Sequence, residues 1–129
     1  MITWRADRFM LDSVFADDID QLLTVDPAMW IVICTGRDAA VEAAGYAKWL
    51  ADHNQPKYTK PSNSAHCCVP ARAVDAALVV DQHTIWDTKD ANWQRLYAAI
   101  LAHPRLHSGI SFGDGDHIEQ LHWQAFRDA

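Results

Sequence analysis

Seven histidines and 17 acidic residues supply most of the groups in this chain that could do chemistry. Three stretches set them where they could converge: Ser64-Ala-His66 at the end of a polar loop, Asp75 within an apolar run, and Asp114-Gly-Asp-His117 across a glycine-rich turn. Catalytic zinc takes three protein ligands from His, Asp, Glu or Cys and keeps a fourth position for water. His66, Asp75 and His117 would make such a set. Asp114 lies between Gly113 and Gly115, so its carboxylate can turn toward that water as a general base. Blander readings stand beside these. Asp75 suits a strand-edge ion pair, Asp114-Gly-Asp116 suits a tight turn that Asp and Gly favour unaided, and His117 suits a core histidine with both ring nitrogens satisfied.

Elements must hold these groups in place. Ser13 to Leu23 sets Val14, Phe15, Ile19, Leu22 and Leu23 at helical spacing, with Asp17, Asp18 and Asp20 on the polar side. Trp30-Ile-Val-Ile-Cys34 is a β-branched run that stops at Thr35-Gly36 and predicts a buried strand. Asp38 caps a second, alanine-rich helix to about Asp52. A long functional loop follows, with Asn54 to Ser64 rich in turn residues. Arg72 to Val80 predicts a strand, polar where Asp75 falls, and a carboxylate inside such a run needs a partner. Asp90 to His103 predicts a helix with Trp93, Leu96, Tyr97, Ile100 and Leu101 on one stripe, stopped by Pro104. Gly109 to Phe112 and His117 to His122 predict two short strands. The sum is one α+β domain over residues 1–129, with a small, largely antiparallel sheet and packed helices.

Composition narrows the function classes. With 129 residues, 50% of them hydrophobic, the chain can bury a core without disulfide or metal support. A balance of 11 basic against 17 acidic residues, with no Lys/Arg cluster, argues against nucleic acid as partner. The charged start, Met1-Ile-Thr-Trp-Arg-Ala-Asp-Arg, does not suit a secretory signal, and no run approaches the ~20 apolar residues that span a bilayer. The expectation is a soluble monomer made in the cytoplasm, with no membrane partner. Cys34, Cys67 and Cys68 form no C-x-x-C pair and are expected as reduced thiols.

Thr35-Gly-Arg37 after an apolar strand, Ser64-Ala-His66, Ala73-Val-Asp75 and Asp114-x-x-His117-Ile-Glu119 follow one another in an order that resembles the M15 family of zinc D,D- and L,D-peptidases. That family includes D-alanyl-D-alanine carboxypeptidases, VanX/VanY-type enzymes and phage L-alanyl-D-glutamate endolysins. The matching blocks run from about Val32 to Glu119. The resemblance implies a Hedgehog/DD-peptidase-like fold, zinc held by His66, Asp75 and His117, and Asp114 as catalytic base. It further implies Arg37 as the contact to a substrate carboxylate or carbonyl oxygen, a role its planar fork suits; a surface guanidinium beside Asp38 is the plainer reading. Ser64 would orient the loop at the substrate or serve only its turn, and Glu119 shares a strand face with His117 and could support it. Two departures stand out. His66 to Asp75 spans nine residues, two more than in the family, so the loop must bulge; and Ser111-Phe-Gly113 leads directly to Asp114, where the family often has a Trp-bearing segment.

The activity so implied is metal-assisted hydrolysis of a peptide bond in peptidoglycan stem peptides by a phage or prophage endolysin that reaches the wall after release from the producing cell. Two other classes remain open. The same scaffold could be a non-catalytic metal-binding or protein-interaction module using its six tryptophans, or a Cys/His hydrolase built on Cys67 or Cys68.

Overall fold

The structure, a computed structural model, describes residues 1–56, 58–109 and 117–121. Its sheet runs β1 (Ile2–Trp4), β2 (Met29–Cys34), β3 (Ala73–Val80), β6 (His117–Gln120) and β5 (Leu106–Ser108), with β4 (His83–Ile85) paired to the far half of β3. Only the β1–β2 pair is parallel among the described strands. With three helices added, this is the small α+β fold expected from the sequence.

Two helices build the core on one face of the sheet. α1 (Ser13–Val25) starts where the Asp12 carboxylate accepts from the Phe15 N–H, and it buries Phe15, Ile19 and Leu23, one turn apart. Each of these fully buried side chains stabilises the fold by about 1.5–3 kcal/mol. α3 (Ala91–Ala102), capped by Asp90, adds Trp93, Leu96, Tyr97 and Ile100. Both pack on Trp30 and Val32 of β2, on Val74, Ala76 and Leu78 of β3, and on Ile118 of β6.

Sequence periodicity erred in four places, the first being Val14, which is exposed because the buried arc of α1 runs through Phe15, Ile19 and Leu23. Leu101 is exposed rather than on the α3 stripe, because the i, i+3, i+4, i+7 arc from Trp93 closes at Ile100. Asp18 is buried, not on the polar side of α1, because Arg105, just after α3, grips both its oxygens at 2.7 and 2.8 Å. The strand beside β6 is Leu106–Ser108, ahead of the predicted Gly109 start, because Leu106 alternates into the core; residues 110–112 lie outside the described ones.

A second ion pair ties α1 to α3. Burial pushes the Asp26 carboxyl up, but Arg95 at 2.7 and 3.0 Å, the Trp30 indole and the Ala28 N–H outweigh it and hold the pKa at about 2, below the ordinary 3.8. A depressed carboxyl pKa gives stability that is full above the unfolded value and lost as pH falls through the folded one. Asp26→Asn is therefore expected to cost about 2 kcal/mol at neutral pH and almost nothing by pH ~2. Urea unfolding at both pH values measures this, and a pH-independent difference would contradict it.

Candidate metal centre

Alternation along the strands sends a second set of side chains to the face away from α1 and α3. Val74, Ala76 and Ile118 point into the core, so Asp75, His117 and Glu119 point the other way. The β3–β6 register sets Asp75 directly opposite His117 and Ala73 opposite Glu119. A slip of one residue would turn these groups into the core.

β2 reaches this face by an irregularity. Trp30 and Val32 pair with Leu78 and Ala76 on the core side, but the register shifts between Val32 and Cys34, which brings Cys34 opposite Asp75. Such a bulge re-aims the residue that follows it. Thr35-Gly-Arg37 then leads to α2 (Ala39–Ala51), whose first turn is capped by Asp38 accepting from the Ala40 N–H.

His66 arrives from a 3-10 turn at Ala65–Cys67. The Arg37 N–H donates to the His66 carbonyl at 2.8 Å, and the Arg72 N–H donates to the Ala65 carbonyl at 3.0 Å. That second bond closes the loop, and the chain between His66 and Asp75 reaches the surface at Val69, which is 98% exposed. Ser64 is buried in the same turn, where its carbonyl accepts from the Cys67 N–H at 3.1 Å.

Three atoms meet at the centre of this face. Asp75 Oδ1 is 2.8 Å from His117 Nδ1 and 3.3 Å from His66 Nε2, and the two ring nitrogens are 3.2 Å apart. The opposite nitrogen of each ring faces an acceptor. His66 Nδ1 lies 2.6 Å from the Thr35 carbonyl, and His117 Nε2 lies 3.0 Å from Glu119 Oε1, whose residue is 4% exposed. With the ring hydrogens donated there, the lone pairs of His66 Nε2 and His117 Nδ1 converge on the carboxylate oxygen. Two lone pairs and an anion so close together require a cation, whether proton or metal.

The titration behaviour says the same. Burial pushes both imidazoles down, but Asp75 with Cys34 raises His66 to about 10, and Asp75 with Glu119 raises His117 to about 9. Burial pushes Asp75 up, yet the two imidazoles hold it well below the ordinary carboxylate range.

Arg37 flanks the centre. Its Nη1 donates to Glu42 Oε2 at 2.7 Å, and its Nη2 is 3.5 Å from Asp75 Oδ2 and 3.3 Å from Cys34 Sγ. Glu42, from α2, is 1% exposed and also accepts from the Thr59 N–H at 3.3 Å. The Tyr58 ring covers the guanidinium, with its centroid 5.2 Å from Arg37 Cζ.

Of the residues singled out in the sequence, His66, Asp75 and His117 come together, Arg37 stands beside them, and Ser64 holds the adjoining turn. Asp114 lies outside the described residues. The thiol at the centre is Cys34, not Cys67 or Cys68, and Cys34, His66 and Asp75 offer ligand atoms within 4.8 Å of one another, a cluster that could hold a metal ion. Burial pushes the Cys34 thiol up, but His66 and Arg37 bring it below its ordinary value. Among the described residues no helix is long and apolar enough to cross a membrane. No protein-family model matches the chain, and no curated protein matches it.

Proposed function

We propose that this chain is a zinc peptidase that hydrolyses a peptide bond in peptidoglycan stem peptides, of the kind made by phages and prophages to lyse a host. One observation carries the reading: two imidazole lone pairs and a carboxylate oxygen are aimed at one point while the far nitrogen of each ring is tied to an acceptor. Metal-ligating histidines are tied in this way, and ligand atoms about 2.0–2.1 Å from a tetrahedral zinc lie roughly 3.3–3.4 Å from each other. Two of the separations here, 3.2 and 3.3 Å, match that spacing, and the third, 2.8 Å between His117 Nδ1 and Asp75 Oδ1, would open by about half an ångström around the ion. His117, rather than Cys34, serves as the third ligand, because its Nδ1 lies 3.2 Å from His66 Nε2 and 2.8 Å from Asp75 Oδ1 while its other nitrogen is tied to Glu119.

Bound zinc supplies a Lewis acid and brings the pKa of a water down to about 7. The rest falls to the protein. Arg37, held by Glu42 and Tyr58, presents its remaining donors to a carbonyl or carboxylate of the peptide. Asp114, three residues before His117, takes the proton of the attacking water and delivers it to the leaving amine. The Thr35 carbonyl and Glu119 keep the two imidazoles in one orientation and one tautomer.

Purified peptidoglycan, incubated with the zinc-loaded protein, is expected to release stem-peptide fragments detectable by mass spectrometry, and a chelator should stop the release. Asp114→Ala should keep the zinc and lose cleavage by about 10²–10⁴-fold. Cleavage that survives chelation, or a zinc-loaded wild type that releases nothing, would overturn the reading.

A further inference from the structure

Beyond Tyr58, which lies on Arg37, α2 and the segment after it border an open cavity of about 400 Å³, lined by Val41, Ala44, Gly45 and Lys48 of the helix and by Pro56 and Tyr58. That volume falls within the usual span for small-ligand sites, roughly 300–1,000 Å³. Two features of the cavity call for explanation. Gly45 sits in the middle of a helix, where alanine would be favoured. A Cβ there would come within 2.5–2.6 Å of the Tyr58 ring, so the glycine is what allows the ring to lie on the helix. The same ring covers the Arg37 guanidinium on its way to the centre. Tyr58 is thus one wall shared by the cavity and by the residue that flanks Asp75.

The second feature is charge. The chain carries a net charge of −6, yet among the described residues the charged side chain lining this cavity is Lys48, which is exposed to incoming ligand and forms no ion pair with a described carboxylate. The Asp52 carboxylate, four residues on, accepts from the Asn54 N–H and Gln55 Nε2 and forms no ion pair with Lys48. An unpaired ammonium above small apolar side chains and one aromatic face suits a short peptide that carries a carboxylate and small side chains.

We propose that the cavity between α2 and Tyr58 is a substrate subsite, in which Lys48 takes the carboxylate of an acidic residue and Tyr58 passes the same peptide on to Arg37 and the centre. The assignment rests on the peptidase reading and adds to it the preference for an acidic residue at a fixed distance from the scissile bond.

The test uses two soluble stem peptides, one with its free D-glutamyl carboxylate and one with that group amidated. Hydrolysis by zinc-loaded protein is followed for wild type, Lys48→Met and Gly45→Ala, and binding is followed separately by calorimetry in chelator. Wild type is expected to prefer the acid in KM by about fivefold, the size of one exposed charge pair. Lys48→Met should lose that preference with kcat unchanged. Gly45→Ala, whose Cβ must displace the Tyr58 ring, should raise KM for both peptides by the same factor and leave the acid preference intact, whereas Lys48→Met removes that preference. Hydrolysis with the acid preference intact in Lys48→Met overturns the subsite and leaves the peptidase standing. Binding of the acid peptide that is lost in Lys48→Met, with no hydrolysis by any variant, supports the subsite and overturns the peptidase. An absence of both binding and hydrolysis overturns both.

Discussion

His117→Ala is expected to weaken zinc binding by roughly 10²–10³-fold and to abolish peptide hydrolysis at ordinary zinc concentrations. Apparent binding energies of about 10–16 kcal/mol for four-ligand zinc sites leave roughly 2.5–4 kcal/mol to each ligand, which sets that scale. Glu119→Gln should do less, about tenfold, because the amide oxygen still accepts from His117 Nε2 while the negative charge that strengthens the ring is gone. Cys34→Ser is the discriminating variant. Cys34 and His117 compete for the third position beside His66 and Asp75. With His117 as ligand, the serine variant keeps zinc affinity within about threefold. Competition titration against a chromophoric chelator reads all three. If Cys34→Ser costs about 10²–10³-fold while His117→Ala costs little, the ion belongs to Cys34, His66 and Asp75 instead.

That Cys34 competes at all was hidden from the sequence, for a physical reason. Strand alternation puts Cys34 on the face of Trp30 and Val32, and only the register shift after Val32 carries it across to Asp75. A bulge leaves little trace in a β-branched run. Glu42 was missed differently. It sits among alanines on a helix whose burial cannot be read from an apolar stripe, since Glu42 itself is its buried residue. Its position five residues after Arg37 was the available signal. By contrast, α1, β2, α2, β3 and α3 were legible to within a few residues, because each carries a cap or a clear period: Asp12, Asp38 and Asp90 all cap the helices that follow them. Asp75 was legible as a carboxylate in need of a partner, since an apolar strand has no other use for one. What periodicity could not supply was the register that sets Asp75 opposite His117, because register belongs to pairs of strands rather than to either alone.

Arg37→Ala is expected to lower stability by about 3–5 kcal/mol, because it leaves the Glu42 carboxylate buried without its cation. Against a total of roughly 5–15 kcal/mol this is a large share, so any loss of hydrolysis in the single variant would be ambiguous. The double variant Arg37→Met/Glu42→Gln removes the ambiguity. It deletes both charges, keeps the volume close, and lets the amide still accept from the Thr59 N–H, so most of the stability should return. Hydrolysis should not return with it. A guanidinium that donates to the substrate contributes about 1.5–3 kcal/mol through charge-assisted hydrogen bonds, so kcat/KM in the double variant should stay roughly 10–100-fold below wild type. Urea unfolding and steady-state kinetics on the same preparations separate the two effects. Recovery of both stability and hydrolysis would mean that Arg37 serves the fold alone and that the peptide is held by other groups.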